Sequence, residues 1–139
     1  MSEVHPVLAI DLGEARIGIA ATDDMGIMAH PVETIHRTQT DPLERIVQLV
    51  IERKIRTLVL GLPLHSGGRE GDAAAKARGF GKQLAARLPE LPLHFVDESF
   101  TTLSAAGKLR EAGRKAKQQK AVIDQAAAVE ILNSWLEAG

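Results

Sequence analysis

The chain has no cysteine and no tyrosine, and its only aromatic rings outside histidine are Phe80, Phe95, Phe100 and Trp135. Without cysteine there is no disulfide frame, no thiolate metal site and no thiol nucleophile. That absence fits a reducing, cytoplasmic setting. So few rings make a poor base-stacking platform, which needs several exposed aromatics. Trp135, with Ile131, Leu132 and Leu136, instead continues an apolar helix face and is expected in the core. No apolar run approaches the ~18 residues that span a bilayer. The start, Met1-Ser-Glu-Val-His-Pro6, lacks a basic region ahead of an apolar core, so neither export nor membrane insertion is expected. Neither sign of charge dominates: 17 Lys and Arg against 18 Asp and Glu give a net charge of -1. Bulk positive charge is therefore excluded as a means of gripping nucleic acid or anionic lipid. The histidines His5, His30, His36, His65 and His94 show no metal-ligand spacing.

What is present is enough for one core. With 139 residues, 45% hydrophobic and 25% charged, the chain has the size and composition of a single soluble domain spanning 1–139. Apolar, β-branched runs predict strands at Val7–Asp11 and Ile17–Thr22 across a tight Gly13-Glu-Ala-Arg16 turn, and a third at Ile27–Ile35. Short turns between them predict an antiparallel meander. Asp41-Pro-Leu-Glu44 is a helix start, with a capping carboxylate, proline at the first helical position and a capping-box glutamate. This helix runs through Lys54 with Leu43, Ile46, Val47, Val50 and Ile51 on one face. The continuous apolar run Thr57–Leu62 predicts a central parallel strand. A Gly-rich loop follows, then a helix from about Asp72 to Leu88, a strand at Leu93–Asp97, a helix from Thr101 or Thr102 to about Ala112, and a last helix at Val122–Leu136. The order βββαβαβαα describes an α/β protein, a five-stranded mixed sheet flanked by helices.

Acidic residues fall at the ends of these elements. Asp11 closes the first strand beside Gly13, either as a metal ligand or as a residue that satisfies the turn backbone. Asp97 and Glu98 follow the last strand, and alternation sends them to opposite sides, so at most one can share a point with Asp11. Asp124 stands near the start of the final helix. Each alone is explained by a turn or a helix dipole. Three carboxylates from a first strand, a last strand and a final helix can instead converge at one sheet edge. There they repel unless they bind a cation, and hard oxygen donors suit Mg²⁺ or Mn²⁺, the ions of phosphodiester hydrolysis.

Asp11-Leu-Gly-Glu-Ala-Arg-Ile-Gly18, Gly61-Leu-Pro-Leu64 with Gly68, Asp97-Glu-Ser-Phe-Thr-Thr102, and Lys120 followed by Asp124-Gln-Ala-Ala-Ala128 stand in order along nearly the whole chain. Together they resemble the successive motifs of the YqgF (RuvX-like) family. The resemblance implies an RNase H-like fold related to Holliday-junction resolvases, and a cytoplasmic nuclease that processes the 5′ end of pre-16S rRNA. It also implies that Asp11, Glu98 and Asp124 are the metal-binding, catalytic acids. Two departures stand out: Ser99 replaces the arginine that commonly follows the Asp-Glu pair, and Ser66-Gly67-Gly68 replaces a common Asp-Gly. Both bear on substrate positioning rather than on the three acids.

The segment Lys108–Lys120, KLREAGRKAKQQK, sets Lys108, Arg110, Arg114, Lys115, Lys117 and Lys120 against Glu111 alone. Gly113 interrupts it, so it reads as a helix end running into a mobile basic loop. It is either a solvated charge run or a guide for a phosphate backbone, with Lys108, Arg114, Lys115, Lys117 and Lys120 as substrate contacts. Arg16 either forks onto a phosphate or pairs with a neighbouring acid. The resulting expectation is a metal-dependent nuclease acting on an RNA precursor, as a monomer or weak homodimer. Resolution of branched DNA by the same acids is the alternative enzyme, and a non-catalytic RNA-binding assembly or transcription factor the alternative from another class. An actin-like ATPase, suggested by Asp-Leu-Gly after a first strand, does not fit a chain this short.

Overall fold

The computed structural model describes residues 4–63, 70–97 and 116–138, with backbone alone over 116–124 and at 138. Its strands are β1 (Val7–Leu12), β2 (Arg16–Thr22), β3 (Ala29–His36), β4 (Thr57–Leu62) and β5 (Leu93–Asp97). Its helices are α1 (Pro42–Arg53), α2 (Asp72–Arg87) and α3 (Ala116–Ala138). The strands form one mixed sheet in the order β3-β2-β1-β4-β5. The meander is as expected: β1 pairs antiparallel with β2 and β2 with β3, while β4 is parallel to both β1 and β5. The helix expected from Thr101 or Thr102 lies outside the described residues.

Two boundaries move for local reasons. The third strand starts at Ala29, because the preceding turn is longer than its sequence suggests. Asp23 accepts from the Ile27 amide at 2.9 Å through its side chain and from the Gly26 amide at 3.1 Å through its carbonyl. Gly26 sits at φ +68°, and a side chain there would run into the His5 ring, so glycine is required. The final helix starts at Ala116, six residues early, since Ala-Lys-Gln-Gln-Lys-Ala are all good helix formers. Lys117 and Lys120 are therefore helical, which corrects their assignment to a basic loop.

The first helix is capped as its sequence predicts: the Asp41 carboxylate accepts from the amides of Leu43 and Glu44, and Lys54 closes the other end in the left-handed conformation at φ 55°. It buries Ile46, Leu49 and Val50, whereas Ile51 is 70% exposed, because 100° per residue carries position 51 past the buried stripe. Arg45 ties α1 to β3 through two hydrogen bonds to Glu33, at 2.7 and 2.9 Å. That bond holds the guanidinium above its ordinary pKa, against a smaller opposing effect of burial.

The sheet has two unlike faces. Under α1 and α2 lie Leu8, Ile10, Ile17, Ile19, Leu58 and Leu60, met by Ile46, Leu49, Phe80 and Leu84. Under α3 lie Val7, Ala9, Ala20 and Val59, met by Ala128, Ile131 and Leu132. At the sheet end away from the β1–β2 turn, the buried threonines close the structure. Thr22 accepts from the Val7 amide at 2.9 Å, and Thr57 donates to the Val4 carbonyl at 2.7 Å.

Candidate nuclease site

Because β1, β4 and β5 run the same way, their ends meet at one sheet edge: β1 at Leu12, β4 at Leu62 and β5 at Asp97, with Leu62 opposite Asp97. Side-chain alternation then sorts the acids. Val7 and Ala9 face α3, so Asp11 takes that face too, half-buried and opposite Gly18 in β2. On β5, Val96 packs on the α3 face and Phe95 on the α2 face, which puts Asp97 on the α2 face and away from Asp11. Position 98 follows next along the chain, and Glu98 itself lies outside the described residues.

The helix covering the Asp11 face carries the third acid in its sequence. Ala127 and Ala128 are fully buried, and Asp124 stands three and four positions ahead of them in α3. Its side chain, like those of Lys117 and Lys120, is not among those described. Lys108, Arg114 and Lys115 fall outside the described residues, as does the loop from Leu64 to Arg69. Among the described residues no three His, Asp or Glu side chains form a metal-binding group.

The turn after Asp11 is built tightly. The Gly13 amide donates to the Arg16 carbonyl at 2.9 Å, and a Cβ at Gly13 would collide with that same carbonyl oxygen. Arg16 opens β2, half-buried and opposite His36. Arg37, just past β3, secures the turn twice: its amide donates to the Ala15 carbonyl at 3.0 Å and its Nη1 to the Gly13 carbonyl at 2.8 Å. Sequence reading missed Arg37, since nothing in His36-Arg-Thr-Gln-Thr40 marks one polar residue above the others. On the α2 side of this turn is a cleft of about 750 Å³ lined by Leu12, Gly13, Glu14, Arg37, Asp72, Ala73 and Lys76.

Residues 5–138 match the family model for RuvX, described as Holliday junction resolvase. The chain belongs to the RuvX family. A RuvX relative from Mycobacteroides abscessus, named "Putative pre-16S rRNA nuclease", is 45% identical over 132 residues, covering 94% of this chain and 80% of its own. Another of the same name, from Cutibacterium acnes, is 48% identical over 130 residues, covering 94% and 81%. Among solved structures, the Thermus thermophilus RuvC in complex with a Holliday junction substrate superposes with a TM-score of 0.56 at 15% identity, over 95% of this chain and 94% of that one. A second Thermus thermophilus RuvC structure gives 0.54 at 17%. The RuvX chain thus has the RNase H-like fold of RuvC, as the sequence motifs implied.

Proposed function

We propose that this chain is a single-domain, metal-dependent nuclease that hydrolyses phosphodiester bonds in a structured RNA, in 5′-end processing of pre-16S rRNA. The observation that carries the reading is topological. Three parallel strands end together at one edge, and α3 packs on the face that Asp11 occupies. The names of the RuvX relatives support an RNA substrate. A cytoplasmic protein fits a chain without cysteine, and no described helix is long and apolar enough to cross a membrane.

Asp11, Glu98 and Asp124 are an all-oxygen donor set, which fits Mg²⁺ or Mn²⁺ better than a thiolate- or imidazole-seeking ion. A divalent cation held by these acids would supply charge stabilisation for the phosphoryl oxygens and activation of the hydrolytic water. The chain's own part is to hold Asp11 on the face opposite Asp97, to keep Arg16 at the start of β2 beside the Asp11 face, and to supply Lys108, Arg114, Lys115, Lys117 and Lys120 as contacts for the phosphate backbone. Hydrolysis adds water across one P–O bond, leaving a phosphate monoester and a hydroxyl.

Purified protein is expected to cleave a pre-16S RNA fragment with Mg²⁺ or Mn²⁺, and Asp11→Asn to abolish cleavage with an unchanged circular dichroism spectrum. Cleavage at full rate by Asp11→Asn sinks the assignment. The likeness to RuvC favours a second reading, resolution of four-way DNA junctions by the same acids. Junction and RNA cleavage compared at matched salt separate the two, because the 2′-hydroxyl and substrate shape differ.

A further inference from the structure

We propose that Arg37 and Lys76 form a phosphate-binding subsite for the RNA backbone in the cleft on the α2 side of the sheet edge, across β1 from Asp11. The proposal rests on the nuclease reading and extends it to residues that no motif marks. The cleft is bounded by the β1–β2 turn, the segment after β3 and the start of α2. Its two cations come from separate elements, Arg37 from beyond β3 and Lys76 from α2.

Arg37 is held in place before any ligand arrives. Its amide and Nη1 both bond the turn that follows Asp11, and among the described residues the side chain has no other hydrogen-bond partner. A guanidinium carries five N–H donors in a fixed fork, so this one can brace Gly13 and still offer a pair of donors to a phosphate. Because it is braced, little side-chain freedom is lost on binding. Lys76 reaches Glu14 at 4.0 Å, but the two side chains are 69% and 93% exposed, a pair that solvent screens and a phosphate can displace.

Leu12 links the two halves of the site. It lines the cleft while its neighbour Asp11 faces the other side of the sheet. An RNA strand crossing the edge at β1 with one phosphate at Asp11 therefore carries a flanking phosphate into the cleft. Glu14 and Asp72 also line it and offset the two cations. Removing one of these acids should accordingly tighten binding, which a purely structural cleft would not do.

The test is fluorescence anisotropy with a labelled RNA hairpin bearing a single-stranded extension, with Mg²⁺, across a salt series. The Asp11→Asn background keeps the RNA intact. Lys76→Ala, at an exposed helical position, should weaken binding by roughly 3- to 10-fold and lower the slope of log K against log salt by about 0.7–0.9, one phosphate contact. Arg37→Ala should do at least as much. Arg37→Lys should restore the slope but only part of the affinity, and Glu14→Gln should tighten binding. An unchanged slope in both Lys76→Ala and Arg37→Ala, while the Asp11→Asn parent binds, overturns the subsite and leaves the nuclease reading standing. A parent that binds no RNA even at low salt removes both.

Discussion

The two faces of the sheet are built from different amino acids, and the contrast separates holding the fold from seating the acids proposed for catalysis. The face under α1 and α2 is paved with leucine, isoleucine and phenylalanine, which bury large apolar areas. The face under α3 uses alanine and valine, with Ala9 and Ala20 from the sheet meeting Ala128 from the helix. Small residues bury less but let a helix lie close to the strands. At the end where Asp11 sits, the α3 residues are alanines. Toward the far end the helix carries Ile131, Leu132 and Trp135. Bulk thus secures one face and the far end of the other, while the acid end is kept thin.

The largest effect expected is on the bulky face. Leu60→Ala empties a fully buried position and should cost about 2–5 kcal/mol in urea unfolding, while leaving the cleavage rate per folded molecule unchanged. Next comes Ala128→Leu, which overpacks the thin face and should cost about 1–3 kcal/mol. It should reduce cleavage by more than the unfolded fraction explains, since it lifts the helix that carries Asp124. Equal activity losses for the two variants at matched folded fraction break the comparison. Asp41→Ala removes the α1 cap and should cost about 1 kcal/mol with no effect on cleavage.

The smallest effect concerns Glu70 and Arg78. Arg78 binds Glu70 at 2.6 and 2.7 Å and lies 5.1 Å over the Phe95 ring. The bond from Arg78 holds the Glu70 carboxyl below its ordinary pKa, and Glu70 in turn holds the guanidinium above its own. A depressed acid contributes stability that is present above its unfolded pKa and fades as pH falls through the folded value. Glu70→Gln should therefore flatten the acid limb of a stability profile slightly and leave neutral pH almost untouched, as thermal melts against pH would record.

Much of this architecture was legible because each signal was local. Asp41-Pro-Leu-Glu44 names its own cap, and Thr57–Leu62 is buried on both faces because it is apolar throughout. Where boundaries were misread, the cause was a bond or a helix propensity within the segment itself that the apolar pattern does not rank. Ile27 and Met28 read as strand, yet Asp23 holds the turn open and leaves them 69% and 65% exposed. The basic run around Gly113 read as loop, while its last residues belong to α3. Of the candidate site, alternation along β5 separated Asp97 from Glu98 in the sequence alone. The structure adds which of the two faces Asp11 takes. Arg37 was invisible because its partner carbonyl lies 24 residues earlier, and a backbone acceptor leaves no trace in side-chain identity.

The place of β1 at the centre of the sheet also sets an order of events during synthesis. Its partners arrive at three times: β2 within a few residues, β4 after α1, and α3 only beyond every strand. A ribosome that has just released β5 has made the whole sheet, with Val7, Ala9, Ala20 and Val59 still facing water. That strip is what a chaperone would meet on the nascent chain. It is covered by the same helix that carries Asp124, so closing the second face of the core and setting that residue in its place are one event.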